Sequence, residues 1–144
     1  MKPIRILLVE DNEGDIVLTT EALEDSKIIN EVDVARNGRE ALDHLMKKRG
    51  YEEAILPDLI LLDINLPIMS GHEVLLEIKN DKNLNSIPVI MLTTSSSDTD
   101  IKKAYHNHAN CFISKPVEID EFMTAIAGIE QFWFSIVSLP RDQN

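Results

Sequence analysis

The sequence holds a single cysteine, Cys111, in 144 residues, so no disulfide can form within the chain. That suits a reducing compartment and points to the cytoplasm. Basic residues are scarce: 14 Lys and Arg stand against 25 Asp and Glu, for a net charge of −11. A surface so acidic repels phosphate backbones and anionic headgroups, which argues against nucleic acid or a membrane as partner. Long hydrophobic runs are missing. The first run, Ile6-Leu7-Leu8-Val9, stops at Glu10, too short for a signal-peptide core or a membrane span. No internal repeat is visible. Aromatic residues are few, and all four Phe and the only Trp lie after residue 110.

What the chain does contain is ordinary for a folded domain: 44% hydrophobic and 27% charged residues. The length suits one domain over residues 1–144. Its expected core covers about residues 4–130, with a carboxy-terminal extension over 131–144. Three unbroken apolar runs, Ile6–Val9, Leu59–Leu62 and Val89–Leu92, suit strands buried on both faces. Val32–Ala35 and Cys111–Ile113 are weaker strand candidates. Helical spacing lies between them, over Asp15–Asp25, Glu40–Lys48, Gly71–Asn80, Asp98–Asn107 and from Glu118 onward. Strand and helix alternate five times, which predicts an α/β, doubly wound, five-stranded parallel sheet.

Such folds bind ligands at the carboxyl ends of their strands. Glu10 and Asp11 follow the first apolar run, Asp63 the third strand, Thr93 the fourth and Lys115 the fifth. Three carboxylates, a hydroxyl and an ammonium should therefore meet at one edge. At an effective dielectric near 20, two like charges about 4 Å apart cost about 4 kcal/mol. A divalent cation would offset that repulsion, and carboxylate oxygens favour a hard ion such as Mg²⁺. A carboxylate beside Mg²⁺ and a lysine can attack phosphorus to form an aspartyl phosphate. Each residue taken alone also has a plainer role, as a helix cap or a surface group. It is the agreement of four strand ends that favours the shared site.

These residues resemble the receiver domain of two-component response regulators. The likeness spans about residues 4–130 and rests on five segments. They are Leu8-Val9-Glu10-Asp11-Asn12, Leu61-Leu62-Asp63-Ile64-Asn65-Leu66-Pro67, Met69-Ser70-Gly71, Leu92-Thr93-Thr94 and Phe112-Ile113-Ser114-Lys115-Pro116. The resemblance implies a flavodoxin-like sheet of order 2-1-3-4-5. It implies that Asp63 is the phosphoacceptor, and that Glu10, Asp11, Asp63 and the backbone carbonyl of Asn65 hold Mg²⁺. Thr93 and Lys115 would meet the phosphoryl group, and Phe112 would be the switch aromatic that follows Thr93. The donor would be a phosphohistidine on a sensor histidine kinase. The Lys115–Pro116 bond is expected to be cis, and Gly71 to serve a tight turn at positive φ. The chain departs from the usual pattern at Phe112, which has no hydroxyl to bond outward. It also departs at Thr94, where many receivers carry a smaller residue and where a β-branched side chain narrows the entrance.

The end of the chain is unusual. From Glu118 the apolar pattern is expected to continue as one helix to about Ile136. Its apolar arc spans about 220° at about 100° per residue, against the roughly 100° that one sheet face needs. The surplus suggests a homodimer through the last helix and strand, with Phe122, Ile126, Ile129, Phe132, Trp133 and Phe134 at the interface. Phe132-Trp133-Phe134 followed by Leu139-Pro140 looks like the small stand-alone regulators paired with bacterial phytochromes, cyanobacterial ones above all. A phytochrome-type kinase is then the expected partner. With the chain filled by one receiver, signalling is expected to run through protein contacts.

Other signals are weaker. His106, His108 and Cys111 suggest zinc but have no fourth ligand nearby in sequence. Asp11–Asp15 fails the calcium-loop spacing. His44 and His72, on predicted helices, are expected at the surface. A haloacid-dehalogenase-type phosphatase would want a second Asp where Asn65 stands, and room for a cap. A receiver-like module that is never phosphorylated would usually have lost an acid or the lysine, and this chain keeps them all.

Overall fold

The computed structural model describes residues 3–94, 101–103, 105, 108–109 and 111–129. Its elements are β1 (Ile4–Val9), α1 (Glu13–Asp25), β2 (Asn30–Ala35), α2 (Gly38–Met46), β3 (Leu59–Asp63), α3 (Gly71–Asn80), β4 (Val89–Thr93), β5 (Cys111–Ser114) and α4 (Ile119–Ala127). All strand pairs are parallel, in the order β2-β1-β3-β4-β5. Of the helix expected over 98–107, the described residues 101–103 and 105 are helical.

Side chains alternate across a strand, so each apolar run feeds two cores. Leu7, Val9, Ile60, Leu62, Val89 and Met91 point to one face, where Ala41, Leu42 and Leu45 of α2 and Val74, Leu75 and Ile78 of α3 cover them. Ile6, Leu8, Leu59, Leu61, Ile90 and Leu92 point to the other, against Ile16 and Leu23 of α1 and Phe122 and Ile126 of α4. Every residue of β3 and β4 is buried. β2 lies at the sheet edge and alternates exposed Glu31 and Asp33 with half-buried Val32 and Val34. Arg5 of β1 reaches across to Glu31 Oε2 at 3.2 Å and to Asp33 Oδ2 at 3.6 Å.

Three expectations need correction. The last helix does not run on unbroken to Ile136. α4 ends at Ala127, and Gly128 caps it with its N–H on the carbonyls of Ala125 and Ile126. Glycine is about 1 kcal/mol less favourable than alanine inside a helix, so the helix ends where Gly128 falls. Phe122, Ile126 and Ile129, expected on a surface open to a second copy, are instead buried in the chain's own core with Ile16 and Leu23. Phe132, Trp133 and Phe134 lie outside the described residues. Finally, His44 and His72 are buried rather than superficial. The connection after α2 folds back and sets the Tyr51 ring 5.3 Å from that of His44.

Candidate functional site

Parallel pairing aligns the ends of β1, β3, β4 and β5, and the polar residues that stop the apolar runs meet there. Glu10 leaves β1 with its N–H on the carbonyl of Ala35 at 2.9 Å. Asp63 ends β3 and is buried; Thr93 ends β4 and is also buried. Lys115 follows β5 and donates its backbone N–H to the carbonyl of Thr93 at 2.8 Å. The Lys115–Pro116 bond is cis, as expected.

The Lys115 ammonium organises the site. Nζ donates to Glu10 Oε1 at 2.8 Å, to Asp15 Oδ2 at 2.9 Å and to Asp63 Oδ2 at 3.2 Å. Glu10, Asp11 and Asp63 each present a carboxylate oxygen within 4.8 Å of the others. Asp11 is exposed while the other two are buried, so the cluster opens to solvent on one side. The Asn65 N–H donates to Asp63 Oδ1 at 3.2 Å, and the Asn12 N–H to Glu10 Oε2 at 3.3 Å. A small oxygen-only donor set of this kind suits a hard divalent ion.

The electrostatics show how crowded the acids are. Burial pushes the Glu10 carboxyl up to about 7, and neighbouring Asp63 adds to the rise while the bonds from Lys115 and Asn12 oppose it. Burial would lower the Lys115 ammonium. Its bonds to Glu10 and Asp15 and the charges of Asp63 and Glu10 outweigh that and hold it above the ordinary lysine range.

Gly71 has a different task from the one expected. Its φ is not positive. A Cβ at Gly71 would lie 2.1 Å from the carbonyl oxygen of Asp63 and 2.7 Å from Cα of Ile64. Its N–H donates to the carbonyl of Ile64 at 2.8 Å. Only a residue without a side chain lets α3 begin this close to the backbone that carries Asp63. In the loop between them, Ile68 is 81% exposed and held at φ 72°. Phe112 on β5 is half-buried against the α2–α3 side of the core, with its ring 6.5 Å from that of Tyr105.

Sequence reasoning missed Asp15, which it read as the start of a helix and the end of a failed calcium-loop pattern. A usable signal was there. Asp15 stands in the first turn of α1, immediately beyond the end of β1, and so at the same edge as the other acids.

A parallel sheet of order 2-1-3-4-5, with an acidic pocket and a lysine at its carboxyl edge, defines a signalling receiver. Residues 6–127 match the response regulator receiver domain family, and the chain belongs to it. It is 42% identical to the response regulator Rcp1 of Synechocystis sp., over 96% of this chain and 94% of that one. Rcp1 has been solved in a Mn²⁺-bound form, with a TM-score of 0.76 over 91% of this chain and 94% of that one. The bacteriophytochrome response regulator AtBRR superposes with a TM-score of 0.84 at 43% identity, covering 92% of this chain and 96% of its own. The phosphorylated cyanobacterial phytochrome response regulator RcpA gives 0.79 at 45% identity, over 94% and 96%. The chain is thus a two-component receiver domain related to phytochrome response regulators. Receiver domains bind a divalent metal, and the acidic cluster found here fits one. Among the described residues, no helix is long and apolar enough to cross a membrane.

Proposed function

We propose that this chain is a cytoplasmic response regulator, a single receiver over residues 1–144. It takes a phosphoryl group onto Asp63 from a phosphohistidine of a phytochrome-type sensor kinase. The observation that carries this reading is the Lys115 ammonium, shared by Glu10 and Asp63 beside the open acidic pocket. A carboxylate oxygen of Asp63 attacks phosphorus. The P–N bond to the donor imidazole breaks, and its electron pair stays on the leaving nitrogen, which takes up a proton. Lys115 donates to a phosphoryl oxygen, and Thr93 donates its hydroxyl to another. Phe112 then follows Thr93 inward, by packing alone.

Glu10, Asp11, Asp63 and the carbonyl of Asn65 would hold Mg²⁺. Bound there, the ion supplies positive charge to the phosphoryl oxygens. The protein is not a general enzyme: it assists only its own phosphorylation and the slow loss of the group.

Output runs through protein contacts, with a second copy as one partner. With Phe122, Ile126 and Ile129 committed to the core, the dimer face we propose is the outer side of β5 and α4. There Phe112, Asp120, Thr124 and Ala125 line an open groove of about 490 Å³.

The test is intact-mass spectrometry with acetyl phosphate, with and without Mg²⁺, on wild type and Asp63→Asn. Size-exclusion chromatography would run in parallel. A Mg²⁺-dependent adduct lost in the variant is expected, together with a larger dimer fraction. Faster transfer from a phytochrome-type kinase than from an unrelated one is expected too. Absence of any adduct would leave an interaction module without phosphorylation.

A further inference from the structure

Three helices open on one local pattern. Asn12, Asn37 and Ser70 cap α1, α2 and α3, and each accepts from the backbone N–H three residues on. Those N–H groups belong to Asp15, Glu40 and Glu73, at 2.9, 2.8 and 3.3 Å. In all three helices that third residue is an acid, as a capping box prefers. At α2 and α3 the acid returns to its own cap. Asn37 Nδ2 donates to Glu40 Oε2 at 3.3 Å, and Ser70 Oγ donates to Glu73 Oε1 at 3.4 Å. At α1 the Asp15 carboxylate instead accepts from Lys115 Nζ, 100 residues away in sequence.

That bond has a consequence for the lysine. An ammonium has three N–H donors. Glu10, Asp15 and Asp63 take all three. A phosphoryl oxygen arriving on Asp63 can be met only if one of these bonds is given up. The Glu10 side chain is fully buried and that of Asp63 is 3% exposed, whereas that of Asp15 is 27% exposed. Water can replace the lysine at Asp15 at once and can reach the other two only with rearrangement.

We propose that Asp15 is a positioning residue for phosphoryl transfer to Asp63. It holds the third N–H of Lys115 in the resting state and yields it to the incoming phosphoryl oxygen. This rests on the reading of Asp63 as phosphoacceptor. In the covalent step with acetyl phosphate, the Asp63 oxygen bonds to phosphorus and the P–O bond to acetate breaks. The electron pair leaves on acetate, while Asp15 exchanges one hydrogen bond for water and changes no covalent bond. The Asp15 charge also faces the dianionic donor, so it opposes arrival as well as occupying the lysine.

The experiment compares wild type, Asp15→Ala, Asp15→Glu and Asp63→Asn with Mg²⁺ present. It measures the second-order rate of labelling by acetyl phosphate and the affinity for beryllofluoride, each at low and high salt. Thermal unfolding confirms that every variant is folded. Asp15→Ala is expected to label about three- to tenfold faster and to bind beryllofluoride correspondingly more tightly. The gain should shrink as salt screens the charge, and Asp15→Glu should return towards wild type. A purely structural role for Asp15 would not produce a salt-dependent gain in both measurements. Unchanged or slower labelling by folded Asp15→Ala overturns the role of Asp15 alone. No adduct on wild type, or an undiminished adduct on Asp63→Asn, overturns the reading of Asp63 itself.

Discussion

The two ends of the parallel sheet use charge in opposite ways. At the amino end, charged groups close loops. The Arg5 N–H donates to Asp58 Oδ2 at 2.9 Å, and the Asp58 N–H returns to the Arg5 carbonyl at 2.8 Å. Lys79 donates Nζ to the carbonyls of Asn85 and Ile87, at 3.3 and 3.0 Å, and so secures the approach to β4. At the carboxyl end, Glu10, Asp11, Asp15 and Asp63 crowd around one lysine. One end satisfies its polar groups locally. The other holds like charges together, at a cost in stability that a bound cation would relieve. Substitutions at the two ends should therefore differ in size and in whether they reach the phosphoryl chemistry.

The largest effect is expected where the crowded end is built on backbone contact. Gly71→Ala forces α3 away from Asp63 and should lower stability by about 3 kcal/mol. Urea unfolding measures that, and phosphoryl labelling should fall with it.

Next comes the pH dependence of the metal-free protein. The Glu10 carboxyl is raised from 4.5 to about 7, so between these values the folded state binds the extra proton. Stability from this group should rise as pH falls from 7 towards 4.5, by about 3 kcal/mol at most. Glu10→Gln should remove that slope, and Mg²⁺ should flatten it in wild type; urea titrations across the range would read both.

At the amino end the cost is smaller and leaves the site chemistry untouched. Lys79→Met strips two carbonyls of their donor and should destabilise by about 1–2 kcal/mol, while the rate of labelling by acetyl phosphate stays unchanged. The smallest effect belongs to Ile68, a β-branched residue in the left-handed region. Ile68→Asn should raise stability by about 1 kcal/mol, seen as a higher midpoint in urea.

The same contrast separates what could be read in the sequence from what could not. Leu59–Leu62 and Val89–Leu92 announce central strands because burial on both faces needs unbroken apolar residues. The residue that ends each such run must then face the ligand edge, and so Glu10, Asp63, Thr93 and Lys115 could be placed together in advance. Asp15 was passed over, although it stands at the same edge, because its local pattern is that of an ordinary helix cap and its partner is remote in sequence. His44 escaped because the residue that covers it, Tyr51, belongs to a connection outside the helix. The work done by Gly71 escaped because a close approach between backbones leaves no mark beyond the glycine itself. At α4 the apolar periodicity on both sides of Gly128 suggested continuity, and the local preference of glycine decided otherwise.

The ion pairs of Arg5 with Glu31 and Asp33 bear on what the sheet refuses to join. Among the described residues no strand pairs with the outer edge of β2, and such an edge is a ready template for a strand from another molecule. A second copy docking there would bring acid against acid along the seam. Arg5 on β1 steadies both of these acids from within the fold. Charge on this strand thus opposes edge-to-edge pairing at β2 and leaves association to the other faces of the molecule.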